Sequence, residues 1–203
     1  VKITFFAAGG AISEKYAEKA AKHSIVIDNS SFFRMDPDVP LIVPQVNAEA
    51  VKSMKKNIIA NPNCSTAQLV IALKPLHDLF KIERIVVSTY QSVSGGGKAH
   101  MDELIDQTKL FLENKPIKSK NFTKQIAFNA IPHIDAFADD GYTKEELKMT
   151  NETKKILDQN IELTATCVRI PVLISHAESV NIQFKKPFSI EKVKEALDKA
   201  DGC

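Results

Sequence analysis

The first 28 residues constrain the fold more than any other stretch. Residues 2–7 read as a strand that runs straight into Gly9-Gly10. Ser13 then stands where it would cap a short amphipathic helix at 14–22, and Ile25–Asp28 reads as a second, buried strand. Strand, glycine turn, helix, strand is a βαβ unit, and such a unit implies a parallel sheet covered by helices. A parallel nucleotide-binding sheet usually opens on a glycine-rich phosphate turn. No GxGxxG or Walker pattern occurs here, and Gly9-Gly10 and Gly95-Gly96-Gly97 are the only glycine clusters. Two alternatives follow: the protein binds no nucleotide, or the phosphate turn belongs to a part of the chain outside this sequence.

The remaining pattern extends the alternation. Residues 29–40 carry polar and proline signals and are expected to form a loop. A short strand at 41–43, a helix at 48–55 and a strand at Ile58–Ala60 follow. A mostly apolar helix is expected over 65–80, kinked at Pro75. Then come a β-branched strand over Ile82–Gln91, a helix over 99–112 and a lysine-rich excursion over 114–124. The spacing Thr143…Glu146 predicts a capping box that opens a helix over 143–158. Strands at 162–170 and 175–184 and a charged amphipathic helix at 191–199 complete the pattern.

Composition excludes several function classes. A net charge of +2 with interspersed signs carries no basic stripe, which argues against a nucleic-acid partner. No apolar run approaches the roughly 20 residues of a membrane helix, and the opening residues lack the pattern of a secretory signal. Cys64, Cys167 and Cys203 form neither a metal-ligand pair nor an even disulfide set. That usage suits a reducing cytoplasm with one reactive thiol.

Three places carry possible chemistry. In Asn61-Pro62-Asn63-Cys64-Ser65-Thr66, the cysteine lies between a buried strand and an apolar helix. The N–H groups of that helix's first turn favour a thiolate and could hold an oxyanion, with the Asn63 amide beside them. Equally, Cys64 could simply cap or pack under the helix. Alternation puts His176 on one face with Val180, Ile182 and Phe184. It is either a satisfied core histidine or the base a thiol requires. Leu163, Ala165, Cys167 and Arg169 likewise share one face, and a guanidinium at the end of an apolar row needs an anion from the protein or a ligand. Arg34 and Lys148, each taken alone, read as solvated surface charges.

Taken together, AAGGAIS (7–13), IDNSSFFRMDPDVPLIVPQVN (27–47), IIANPNCSTAQLVIALKPLHD (58–78), RIVVSTYQSVSGGGKAHMDEL (84–104), IAFNAIPHID (126–135), GYTKEELKMTNETKKI (141–156) and TATCVRIPVLISHAESVNIQF (164–184) resemble the bacterial aspartate-semialdehyde dehydrogenases. These stretches fall in family order and cover most of the chain. The resemblance implies an α/β fold. A partial Rossmann-type NADP-binding domain over 1–63 would be followed by an α+β glyceraldehyde-3-phosphate-dehydrogenase-like catalytic and dimerisation domain over 64–203. It implies Cys64 as nucleophile, His176 as acid/base and Gln91 as the residue that orients the substrate. Arg169 and Glu145 match the clamp on the α-carboxylate and α-amino groups, and Arg34 and Lys148 the phosphate site, with Asn63 beside it. Ser94 and Gly95 match backbone contacts to NADP, and Ala8-Gly9-Gly10 a second cofactor-side loop.

The implied reaction converts L-4-aspartyl phosphate and NADPH reversibly to L-aspartate 4-semialdehyde, NADP and phosphate. In the family it serves lysine (through diaminopimelate), methionine, threonine and isoleucine biosynthesis, in a homodimer or homotetramer. The family's GxxGxVG turn and adenosine-binding stretch have no counterpart before Val1, and a strand and helix are expected beyond Cys203. The chain thus reads as lacking both ends, and as given it should bind NADP poorly. Ala7 stands where the family commonly has Ser. A catalytically silent homologue acting as a structural or regulatory partner is the alternative, although such a protein should have lost Cys64, His176 or the charge clamp. A thiol hydrolase would need no second cationic pocket.

Overall fold

The computed structural model describes residues 1–203. They divide into two compact units that are not consecutive along the chain: residues 1–84, 148–162 and 182–203 in the first, and 85–147 and 163–181 in the second.

The first unit opens with β1 (Ile3–Phe6), α1 (Gly10–Ala21) and β2 (Ile25–Asp28), followed by α2 (Pro44–Asn47), a 3-10 turn at Ala48–Ser53, and β3 (Ile58–Ala60). The sheet order is β1-β2-β3 and both pairings are parallel, with Ile3 opposite Ile25 and Val26 opposite Ile58. The expected βαβ unit is therefore present. Its helix starts earlier than the sequence pattern suggests, because Gly9 at φ +91 turns the chain directly into α1. Ser13 is not the cap. Its hydroxyl donates to Asp28 Oδ1 at 2.7 Å, inside the unit. The expected strand at 41–43 reduces to a single bridge between Leu41 and Ala60, and the expected helix at 48–55 is a 3-10 turn over Ala48–Ser53, preceded by the short α2 that the sequence pattern did not show. Val26, Val39, Leu41, Ile58, Ala60 and Val70 form the core beneath this sheet. α3 (Cys64–Phe80) continues through Pro75, and α6 (Ile190–Asp198), capped by the Ser189 hydroxyl, packs on it.

The second unit is built on a sheet of order β5-β4-β6, comprising β4 (Ile82–Gln91), β5 (Glu162–Arg169) and β6 (His176–Phe184). On β5 the burial alternates as expected, with Leu163, Ala165 and Cys167 inside. After a 3-10 turn at Val93–Gly96 comes α4 (Lys98–Leu112), and Leu104 meets Val93, Ile126 and Ile131 in a small core. Polar side chains of α4 hold the segment after it. Glu103 accepts from the N–H groups of Lys120 and Asn121, and Gln107 from those of Ile126 and Ala127. α5 (Lys144–Ile156), of which 144–147 belong to this unit and 148–156 to the first, opens with the expected capping box: Thr143 N–H donates to Glu146 at 2.7 Å and Glu146 N–H to the Thr143 hydroxyl at 3.3 Å. No helix is long and apolar enough to cross a membrane.

Candidate active site

Each unit carries its own group of the residues singled out from the sequence. In the first, Cys64 is the opening residue of α3 and is exposed. Asn63 caps that helix, its Oδ1 accepting from Ser65 N–H at 2.9 Å and Thr66 N–H at 3.3 Å. The thiol therefore sits on the first turn of a 17-residue helix, at the positive end of its dipole.

One carboxylate organises the surroundings of this turn. Glu152 of α5 is 1% exposed; its Oε2 accepts the Asn63 N–H at 2.6 Å and its Oε1 pairs with Arg34 Nη1 at 3.1 Å. Arg34 Nε donates to Asn61 O at 2.9 Å and Nη2 to Asn29 O at 3.2 Å, which fixes the plane of the guanidinium. Arg34 is thus not the solvated surface charge its sequence context suggests: it is 8% exposed. Lys148 is half-buried on the same helix, so it departs from that expectation too. Burial pushes the Glu152 carboxyl above its ordinary range, and Arg34 and the Asn63 N–H offset part of that. One turn further along α5, Lys155 Nζ donates to the carbonyls of Arg34, Asp36 and Val39 at 2.7–2.9 Å. Its burial lowers the ammonium's pKa, while Asp36 opposes the shift. Asp28 braces the start of the same loop, accepting from both N–H and hydroxyl of Ser30.

In the second unit the ends of three strands converge. Gln91, closing β4, is 1% exposed; its Nε2 donates to Glu145 Oε1 at 3.1 Å and its Oε1 accepts from the Thr89 hydroxyl at 2.9 Å. Arg169, closing β5, donates from Nη1 to Ser92 O at 2.6 Å, and its backbone pairs with Ile131. His176, opening β6, accepts the Ser92 N–H on Nδ1 at 3.0 Å, with the Ser92 hydroxyl 3.2 Å away. That donor selects the neutral tautomer with the proton on Nε2. Burial is the main cause that holds the His176 pKa below its ordinary value. The neighbouring Arg169 charge adds to it, while the Ser175 backbone bond and Glu145 oppose it.

Gly95 lies over this pair. A Cβ there would stand 3.2 Å from Arg169 Nη1, so the guanidinium would have to give by a few tenths of an ångström, and 3.7 Å from His176 Cε1 and Nε2, which is an ordinary contact. Cys167 is buried, and burial pushes its thiol up to about 12, which leaves it a packing residue.

Sequence reasoning missed two organisers of these groups. Ser92 receives both Arg169 and His176, and its fully buried position next to Gln91 gave no local signal. Glu152 had one: Glu145, Lys148 and Glu152 recur at three- and four-residue steps, which places them on one helix face.

A family model described as "Semialdehyde dehydrogenase, dimerisation domain" matches residues 73–203, and one described as "Semialdehyde dehydrogenase, NAD binding domain" matches residues 1–54. The aspartate-semialdehyde dehydrogenase of Aquifex aeolicus is 55% identical over 100% of this chain and 61% of its own length. The crystal structure of aspartate semialdehyde dehydrogenase II from Vibrio cholerae complexed with ASA superposes with a TM-score of 0.98 at 52% identity, covering 100% of this chain and 61% of that one. The Candida albicans enzyme with NADP gives a TM-score of 0.71 at 27% identity, over 98% of this chain and 55% of the other. The chain therefore spans about three-fifths of the length of the curated relatives it matches.

Proposed function

The chain belongs to the semialdehyde dehydrogenase family, and we propose that the complete protein carrying it reduces L-4-aspartyl phosphate to L-aspartate 4-semialdehyde with NADPH. The observation that carries this reading is the Cys64 turn: a thiol on a capped helix N-terminus, tied through Glu152 to a buried, fixed guanidinium. An acyl phosphate needs such a pairing, a nucleophile for its carbonyl carbon and a cation for its departing oxyanion.

The Cys64 thiolate attacks the acyl carbon, and phosphate leaves with the electron pair of the broken C–O bond, received by Arg34 and Lys148 with Asn63 beside them. A nicotinamide held by this chain would supply the hydride that reduces the resulting thioester. Addition to the thioester carbonyl places negative charge on its oxygen. The His176 Nε2–H is the acid/base proton shared with that oxygen until the C–S bond breaks and the Cys64 thiolate returns. Arg169 and Glu145 hold the two charged ends of the aspartyl group, and Gln91, buried and bonded to Glu145, orients it. The residues present fit a dinucleotide. Gly9, at positive φ, opens the 12-residue α1 with open space where a Cβ would stand, and Gly95 leaves exposed backbone beside His176. Ala8, Gly9, Gly10, Ser94 and Gly95 would hold it.

The Candida albicans relative with NADP supports NADP over NAD, and the dimerisation-domain match supports assembly as a homodimer or homotetramer. The same reading places the protein in the cytoplasm, in the biosynthesis of lysine, methionine, threonine and isoleucine. The test is to trap the acyl-enzyme. The complete protein is given the semialdehyde and NADP without phosphate, and its peptides are weighed. An acyl adduct on Cys64 that phosphate then discharges is expected; an adduct elsewhere, or one inert to phosphate, refutes the mechanism.

A further inference from the structure

Glu152 touches no reacting group in the scheme above, yet it is among the most deeply buried charges of its unit and both of its oxygens are engaged. Two of its partners, Arg34 and Asn63, belong to segments 29 residues apart in sequence, and both of them are donors. Arg34 presents a guanidinium N–H, and Asn63 the backbone N–H immediately before the nucleophile. A carboxylate is the side chain that offers an acceptor to each at once. Asn61 joins the same frame, its carbonyl accepting from Arg34 Nε and its amide donating to Asn29 Oδ1. Lys155, three residues on, clamps the loop from Arg34 to Val39 by three carbonyls. The far half of α5 therefore fixes both the cation loop and the start of the helix that carries Cys64.

We propose that Glu152 is a positioning residue for the phosphate half of the reaction, setting the Arg34 guanidinium and the Cys64 turn in one fixed relation. The proposal rests on reading Cys64 as nucleophile and Arg34 as phosphate ligand. Glu152 touches neither substrate nor cofactor and acts through Arg34 and Asn63. Near-attack geometry is sensitive to small displacements, so the two ends of a phosphoryl-bearing substrate need this common support.

Glu152→Gln tests it, because an amide has one acceptor end and one donor end while both partners donate. Whichever way the amide turns, one partner meets another donor. In the complete protein, kcat/KM for phosphate in the oxidative direction should fall about tenfold to a hundredfold, in line with the loss of other orienting partners. The KM for the semialdehyde, which Arg169 and Glu145 would govern, should stay within about twofold of the wild type. Glu152→Asp keeps the charge that Arg34 needs but is one methylene too short to span both donors, and it should show a smaller fall of the same kind. A second readout does not need turnover: phosphate should protect Cys64 from iodoacetamide in the wild type, and only at several-fold higher concentration in Glu152→Gln.

Unchanged phosphate kinetics and unchanged protection in both variants overturn the proposal. So does an equal fall for phosphate and semialdehyde with a lowered melting temperature, which would make Glu152 a residue of the fold alone. A wild type without phosphate-dependent turnover overturns the functional reading as well, and so separates that failure from the failure of the Glu152 assignment.

Discussion

Removing the charge of Arg34 should unfold the protein sooner, and the deficit should depend on pH in a direction that the structure sets. Arg34 Nη1 and Glu152 Oε1 are 3.1 Å apart, with side chains 10% and 2% exposed. At that separation and an effective dielectric constant near 20, their attraction is roughly 5 kcal/mol. Breaking a buried pair by deleting one partner typically costs about 3–5 kcal/mol. Glu152 keeps the Asn63 N–H, so Arg34→Met should lie near the lower end, at about 3 kcal/mol. For a chain of this size that is a drop of about 6–12 °C in melting temperature.

The pH dependence follows from Glu152. Its carboxyl is already raised by burial, and losing Arg34 raises it further. Above its folded pKa the carboxylate is ionised in both states and the native state alone bears the burial penalty. As pH falls through the folded pKa towards the unfolded value of about 4.3, the native state takes up the proton first and regains stability. The deficit relative to the wild type should therefore be full at pH 8 and shrink on acidification. Arg34→Met/Glu152→Gln should recover at least about half of it, because no buried charge is left alone. Thermal unfolding followed by circular dichroism from pH 8 down to pH 5 measures all three. A single variant melting within about 2 °C of the wild type at pH 8, or a deficit that grows on acidification, refutes the reasoning.

Further expectations concern Gly95, His176 and the cysteines. Gly95→Ala would put a methyl 3.2 Å from Arg169 Nη1, and the guanidinium must move; KM for the semialdehyde should rise several-fold with little change in melting temperature. His176 is held neutral, so the acid limb of kcat/KM for semialdehyde oxidation should lie below about pH 6.5. Arg169→Met should move the limb up and Glu145→Gln should move it down; a limb above that value contradicts the assignment. Iodoacetamide at neutral pH should label Cys64, which is exposed, and spare Cys167 until the protein unfolds. Labelling of native Cys167 would show that its burial is transient.

What the sequence made legible is what local chemistry decides. The first βαβ unit, the Thr143–Glu146 capping box and the alternation on β5 depend on residues a few positions apart, and all three are present. Ser13 misled because its hydroxyl has a better partner in Asp28, on the adjoining strand, than in the helix it would cap. Arg34 misled for the same kind of reason. Its acceptors are Asn61 and Asn29 carbonyls and a glutamate 118 residues away, and no window of sequence contains that glutamate. The short strand at 41–43 failed because pairing needs more than one residue of register, and only Leu41 meets Ala60.

The candidate site residues were named by resemblance more than by pattern. Cys64 at a helix start and Arg169 at a strand end were visible from periodicity. That Arg169 and His176 share Ser92 depends on how β4, β5 and β6 end together.

The central claim is that Cys64 carries the acyl group between semialdehyde and phosphate, and the rate of NADPH formation tests it most directly. The complete protein, wild type and Cys64→Ala, would be assayed with aspartate semialdehyde and NADP, with and without phosphate. The account predicts sustained turnover only in the wild type and only with phosphate present. Phosphate-dependent turnover that survives in Cys64→Ala would contradict it.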